Sequence, residues 1–167
     1  TPSVNVDDAT NVISLASSYT DLQGNLGTEA QSGNFVVRTK TDDGVVSDGY
    51  ISNARVFRDL DNDGIWDEGV EPSVFTDARG GYVGLTGSGG TIVAMGGVDI
   101  STGLSFAGVL KAPPGAAIVN PLTTLVSAVA GDLSGKSPLE IASMVASAEQ
   151  KVAAVLGIDL AGAGSLT

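Results

Sequence analysis

The chain contains no cysteine and no histidine. Those two absences remove whole chemistries. Ser-His-Asp and Cys-His catalysis each need a residue that is missing here. Zinc sites lose their customary nitrogen and sulfur ligands. Disulfides, which brace many small secreted eukaryotic domains, are excluded as well. Positive charge is scarce: 8 Lys and Arg stand against 19 Asp and Glu, a net charge of −11. No basic stripe exists to follow a phosphate backbone, so nucleic acid is not an expected partner. Anionic membrane surfaces are unfavourable on the same ground. No apolar run reaches the length of a membrane span, and membrane insertion is not expected. No signal-peptide pattern opens the chain, so Thr1 reads as a mature terminus or an artificial boundary. Aromatic residues make up only 5% of the sequence.

What is present is small and β-forming. The 167 residues are 43% hydrophobic and include 23 glycines, with many Ala, Ser, Thr and Val. That size allows one domain, or one domain with an appendage. The mixture suits short strands joined by tight turns. An acidic, Cys-free chain of this kind is expected of an exported bacterial protein.

Residues 1–33 read ambiguously. Val12, Leu15, Ala16, Tyr19 and Leu22 fit one helical face, and Asp8 is a candidate cap. The β-branched and Ser/Thr content argues against that helix. Residues 21–34 read as a polar loop. Residues 34–119 read as β: "FVVRT", "GYI", "ARVF", "SVFT", "GYVGL", "TIVAM", "LSFAGVL" and "AAIV" are short apolar or alternating runs. Gly, Asp, Asn and Pro punctuate them at the spacing of an antiparallel β-sandwich. "TDARGGY" reads as a hairpin turn, with an Asx-turn at Asp77 and positive φ at Gly80 and Gly81. "GSGG" (residues 87–90) is a further turn, since no Lys-Ser/Thr follows to make it a phosphate loop.

After Pro114 the period changes. Asn120 and Pro121 suit the N-cap and N1 positions of a helix. Leu122, Leu125, Val126 and Val129 then define one face. Ser137, Pro138 and Glu140 form a capping box for a second helix. Its apolar positions are Ile141, Val145, Ala148, Val152 and Val155, and Gly157 is its stop signal. Residues 120–157 are thus expected to form a helical hairpin packed on the sandwich. Residues 158–167 read as a linker or tail.

The stretch "RDLDNDGIWDEGVEP" (residues 58–72) carries the chemistry. Six acids fall between positions 59 and 71, and Arg58 is the single basic residue beside them. Asp59, Asp61 and Asp63 alternate, Gly64 follows, and Asp67 comes four after Asp63. This is the spacing of a calcium loop: alternate side chains aim hard oxygens inward, and glycine permits the sharp turn. Ile65 is expected to offer its backbone carbonyl and to send its side chain into the core. Position twelve, normally a bidentate acid, is Val70. Glu71, with Gly69 absorbing an extra residue, is the preferred closing ligand, and Glu68 is the alternative. The expected ligand set is therefore Asp59, Asp61, Asp63, Ile65, Asp67 and Glu71, and the expected ion is Ca²⁺ in a structural role.

Residues 48–85 resemble the calcium-binding B-type repeats of large bacterial surface adhesins and similar modules of type I-secreted proteins. The matching positions are Asp59, Asp61, Asp63, Asp67, Pro72, Thr76, Asp77, Gly80 or Gly81, and Tyr82. The family's "GEP" is "GVEP" here. The resemblance implies a prealbumin-like sandwich, secretion to the cell surface and calcium stabilisation. Residues 112–129 look like a segment that follows such repeats in other bacterial surface proteins. Lys40 and Lys111 fall in no pattern for the Lys–Asn isopeptide bonds of related sandwich domains.

The leading expectation is a non-enzymatic extracellular module serving adhesion, a stalk or a biofilm matrix. Its partners would be neighbouring domains or identical subunits at the cell surface. A filament subunit that donates a strand to its neighbour is a second reading. A glycan-binding domain using Trp66, Tyr19, Tyr50 and Tyr82 is a third, although Trp66 suits a role in shielding the acidic loop. Catalysis by paired carboxylates is the weakest, because each clustered acid is better explained as a ligand.

Overall fold

The computed structural model describes residues 7–38 and 40–167, and the chain divides into two units, Thr1–Lys40 and Thr41–Thr167. In the first unit β1 (Asp7–Asn11) runs antiparallel to β4 (Phe35–Arg38), while β2 (Ser14–Leu15) pairs with β3 (Ala30–Gln31). The helical reading of this segment does not hold. Val12, Leu15, Tyr19 and Leu22 are all exposed rather than gathered on a buried face. The polar loop expected at 21–34 carries β3, and the Asp21 carboxylate holds its turn by accepting from the amides of Gln23 and Asn25. The side chain of Asp8 and all of residues 1–6 lie outside the described residues. Because β4 pairs with β1, the "FVVR" strand belongs to this unit. The boundary falls at Lys40, seven residues beyond the expected 33.

The second unit is mainly β, with helices at its C-terminal end. Its strands are β5 (Thr41–Val46), β6 (Ile51–Ser52), β7 (Arg55–Asp59), β8 (Ser73–Phe75), β9 (Gly81–Thr86), β10 (Thr91–Met95), β11 (Val98–Asp99), β12 (Val109–Ala112) and β13 (Ile118–Val119). One sheet has the order β12-β10-β7-β8, all antiparallel. A second has the order β13-β5-β9, in which β13 lies parallel to β5; β6 and β11 form a separate pair. Strand β5 escaped the sequence reading because "TDDG" lacks an alternating apolar pattern, and its pairing with β9 shifts register between Asp42 and Gly44. Strands β8 and β9 stand in different sheets, so "TDARGGY" is a crossing turn rather than a hairpin. Asp77 does accept from the amides of Arg79 and Gly81, and Gly80 takes φ +78°, but Gly81 is not in the left-handed region.

Strand parity explains the core. Side chains alternate between faces. Val56, Ile92, Ala94, Leu110 and Ala112 of the four-stranded sheet share one buried cluster with Val46, Tyr82, Leu85 and Val119 from the other. Arg58 lies on that same face of β7 and is fully buried. Its guanidinium ties the sheets together by pairing with Asp42 and donating to the carbonyls of Thr86 and Gly89. Phe57 and Val93, opposite each other in register, face the other way and are also fully buried. The central strands β7 and β10 are therefore covered on both faces, whereas Phe75 and Val109 on the edge strands are about half exposed.

Helix α1 (Pro121–Ala130) packs against β12. The Asn120 side chain accepts from the Thr123 amide, and Thr123 Oγ1 accepts in return from the Asn120 amide. The buried face of α1 is Thr123, Val126 and Ser127; Leu125 and Val129, expected to be covered, are about half exposed. Helix α2 (Pro138–Leu156) starts at the Ser137–Glu140 capping box and stops at Gly157 with φ +68°. Val126, Ala148 and Val152 join the two helices in a small core of their own. Val155, placed on the same face by its spacing, is exposed. Residues 158–167 do not leave as a linker. A short helix α3 (Leu160–Ala163) follows, Leu166 packs on the helical core, and its amide donates to Glu149. Among the described residues no helix is long and apolar enough to cross a membrane.

Candidate metal centre

Strands β7 and β8 are neighbours in one sheet, joined by residues 60–72. The connection is pinned at its base, where the Arg58 amide donates to the Pro72 carbonyl. Asp59 is the last residue of β7. Parity sends its side chain to the face of Phe57 and Val93, away from Arg58. It is 1% exposed. The chain then turns back over it. Asn62 sits at φ +66° and Gly64 at φ +78°, and the Gly64 amide donates to Asp59 Oδ2 at 3.0 Å. Lys111 Nζ lies 3.8 Å from the same oxygen. Asp59 Oδ1 is buried and accepts no hydrogen bond.

Glu71 approaches from the far end of the loop and is 5% exposed. Its Oε1 accepts from the Leu60 amide at 2.7 Å and its Oε2 from the Asp67 amide at 3.2 Å. The Glu71 amide donates back to the Asp67 carbonyl. These bonds close residues 67–71 into a tight turn, with Gly69 at φ +81°. Carboxylate oxygens of Asp59, Asp61 and Glu71 lie within 4.8 Å of one another. Two of these three acids are buried.

Burial dominates the electrostatics of both. It pushes the Asp59 carboxyl above the usual range, with Asp61 adding to the push; Lys111 and the amides of Gly64 and Asn62 oppose it. Burial likewise raises Glu71, helped by Asp59 and Asp61 and opposed by the amides of Leu60 and Asp67. A desolvated carboxylate with like-charged neighbours is costly unless a cation joins it. The partnerless Asp59 Oδ1, inside a group of hard oxygen donors, is the feature that fits a divalent cation.

The expected ligands separate into two groups. Asp59, Asp61 and Glu71 converge; Glu71, in the "GVEP" segment, reaches the cluster, and Glu68, just before that segment, is not part of it. Asp63 and Asp67 are exposed and stand outside it among the described residues. Asp63 Oδ1 caps the Ile65 amide, and Asp67 serves Glu71 through its backbone. The Ile65 side chain is 65% exposed, not in the core. Gly64 does make the sharp turn that the spacing calls for, at φ +78°, while the Asp63 carboxylate is engaged by the Ile65 amide and the Asp67 backbone by Glu71. Arg58 does not neutralise the loop either, because it faces the opposite side of β7.

Trp66 supports the centre from outside. Its Nε1 donates to the Glu71 carbonyl, and the Arg55 guanidinium stacks 3.7 Å from its ring centroid and 4.7 Å from that of Phe75. One face of Trp66 is therefore occupied by Arg55. Sequence reasoning missed Lys111 as a neighbour of Asp59. Nothing local could reveal it, since the contact depends on β7, β10 and β12 being adjacent. Comparisons with protein-family models, curated proteins and solved structures found no match.

Proposed function

We propose that this chain is a non-enzymatic structural module of a secreted bacterial surface or matrix protein, stiffened by Ca²⁺ held between Asp59, Asp61 and Glu71. The two main sheets are read as the layers of an antiparallel, prealbumin-like sandwich. The single observation that carries the proposal is the buried, partnerless Asp59 Oδ1 within the three-acid cluster. Ca²⁺ suits it better than Mg²⁺, because calcium accepts six to eight oxygens in irregular geometry. Loop carbonyls and water would complete the shell. The ion would fasten the end of β7 to the segment entering β8, the two ends of the acidic connection. Calcium is abundant outside cells, which fits an architectural role there. The acid cluster is absorbed by this role, and without His or Cys no nucleophile–base pair of the usual kind remains to suggest catalysis. Adhesion or surface assembly, with neighbouring domains or identical subunits as partners, is the expected context.

Melting curves and titration calorimetry test the metal. At calcium a hundredfold above Kd the folded state should gain about 2.7 kcal/mol, a rise of several degrees in Tm. Mg²⁺ should give less. Superimposable melting curves with calcium and with chelator, together with no heat of binding, would end this reading.

A further inference from the structure

Resting on the metal reading above, we infer that Lys111 is a built-in competitor for the site: its ammonium occupies Asp59 in the metal-free protein and must give way when the cation binds. Register places it there. Lys111 opposes Val93, Val93 opposes Phe57, and Thr91 opposes Asp59. Lys111, Val93, Phe57 and Asp59 therefore share one face of the sheet, and the Lys111 side chain reaches Asp59 across the intervening strand β10, two residues along. Its backbone cannot drift. The Lys111 amide donates to Thr124 Oγ1 at 2.8 Å, and Thr123 Oγ1 donates to the Lys111 carbonyl at 2.8 Å. Helix α1 thus fixes where the side chain starts, while the side chain itself, one third exposed, keeps open space beside it.

The other basic side chains near the loop are committed elsewhere. Arg55 is stacked on Trp66 and Phe75, and Arg58 is bound to Asp42 on the opposite face. Lys111 is the basic residue, among the described ion pairs, that reaches an acid of the cluster. It satisfies Oδ2 only at 3.8 Å and leaves Oδ1 without a partner. It is a loose stand-in for a divalent ion, not a replacement.

The displaced ammonium has somewhere to go. A cavity of about 330 Å³ adjoins it, lined by Asn62, Thr91, Lys111 and the last turns of α1 as far as Gly131 and Asp132. Helix α1 has no basic residue in its last turn, so its C-terminal carbonyls and Asp132 form a favourable surrounding for a lysine. Lys111 thereby sets the calcium concentration at which the module stiffens.

Calcium titration calorimetry on the full chain tests this with Lys111→Met, Lys111→Gln and Lys111→Arg. Removing one positive charge about 4 Å from the site should tighten calcium binding roughly three- to tenfold in the Met and Gln variants. Lys111→Arg, which keeps the charge, should stay near the wild-type Kd. Equal or weaker binding in both neutral variants overturns the inference, and so does tightening in the Arg variant. A wild-type chain that takes up no calcium sinks the metal reading and this inference with it. Wild-type binding matched by the neutral variants sinks the inference alone.

Discussion

At the scale of single residues, the protein's most expensive feature is Asp59. It is a buried carboxylate with two acids beside it, opposed only by the amides of Gly64 and Asn62 and by a distant lysine. Its burial-raised pKa has a definite consequence for stability. A carboxyl whose folded-state pKa lies above its unfolded value binds more protons when folded, so stability falls as pH rises from the unfolded value of about 4 toward the folded one. Glu71 acts in the same direction. In chelator, the wild-type chain should therefore lose stability over this window relative to Asp59→Asn, which keeps the shape and removes the charge. The capping and turn acids Asp21, Asp77, Asp99, Asp132 and Glu140 have lowered pKa values and pull the other way. They are common to both proteins and cancel in the difference. Calcium should reverse the order at neutral pH, stabilising the wild type and leaving Asp59→Asn unchanged. Paired urea melts across pH 4 to 7, with calcium and with chelator, read this directly. A variant no more stable than wild type at pH 7 in chelator would remove the claim that Lys111 and the loop amides leave the cost of burying Asp59 only partly offset.

At the scale of elements, signals carried by adjacent residues were legible and those carried by pairing were not. Both long helices begin at their sequence-predicted caps, because Asn120-Pro121 and Ser137-Pro138-x-Glu140 act within one turn. The cap of α1 also does a second job, since Thr123 links it to Lys111. Asn120→Ala should cost about 1 kcal/mol, and it should loosen the β12 backbone at Lys111 as well. Urea denaturation measures the first effect. Faster amide exchange at Lys111 measures the second; unchanged exchange there would separate the helix from the strand. Which acids turn inward was legible only in part. The alternating Asp spacing identified the loop, and Asp59, Asp61 and Glu71 do converge. Asp63 and Asp67 do not: Asp63 caps the Ile65 amide and Asp67 is tied to Glu71 through its backbone, and neither engagement has a spacing signature of its own. Arg58 is the basic residue next to the acidic loop in sequence. One step of strand parity sends it to Asp42 instead, sixteen residues back. Strand β5 was invisible for a related reason: its polar Asp42 is explained by a buried partner that only the fold supplies.

At the scale of the whole molecule, stability is distributed unevenly between the two units. Every side chain of the main buried cluster lies between Val46 and Val119, and the helical core lies beyond it. In residues 10–35 the described side chains are almost all exposed, including Leu22, Leu26 and Phe35. Sheets of only two strands, as the pairs β1 with β4 and β2 with β3 are, gain little from burial and offer their amides to water. Amides of β1 through β4 should therefore exchange orders of magnitude faster than those of β7 and β10, the two central strands buried on both faces. Calcium should sharpen the contrast from within the second unit. Protection should rise first at Leu60, Gly64 and Asp67, whose amides donate to Glu71 or Asp59, then along β7 and β8, and not in residues 7–38. Hydrogen exchange followed by mass spectrometry, with and without calcium, distinguishes these segments. Uniform protection of both units, or a calcium response centred in the first, would contradict the proposed placement of the ion site in the second unit alone.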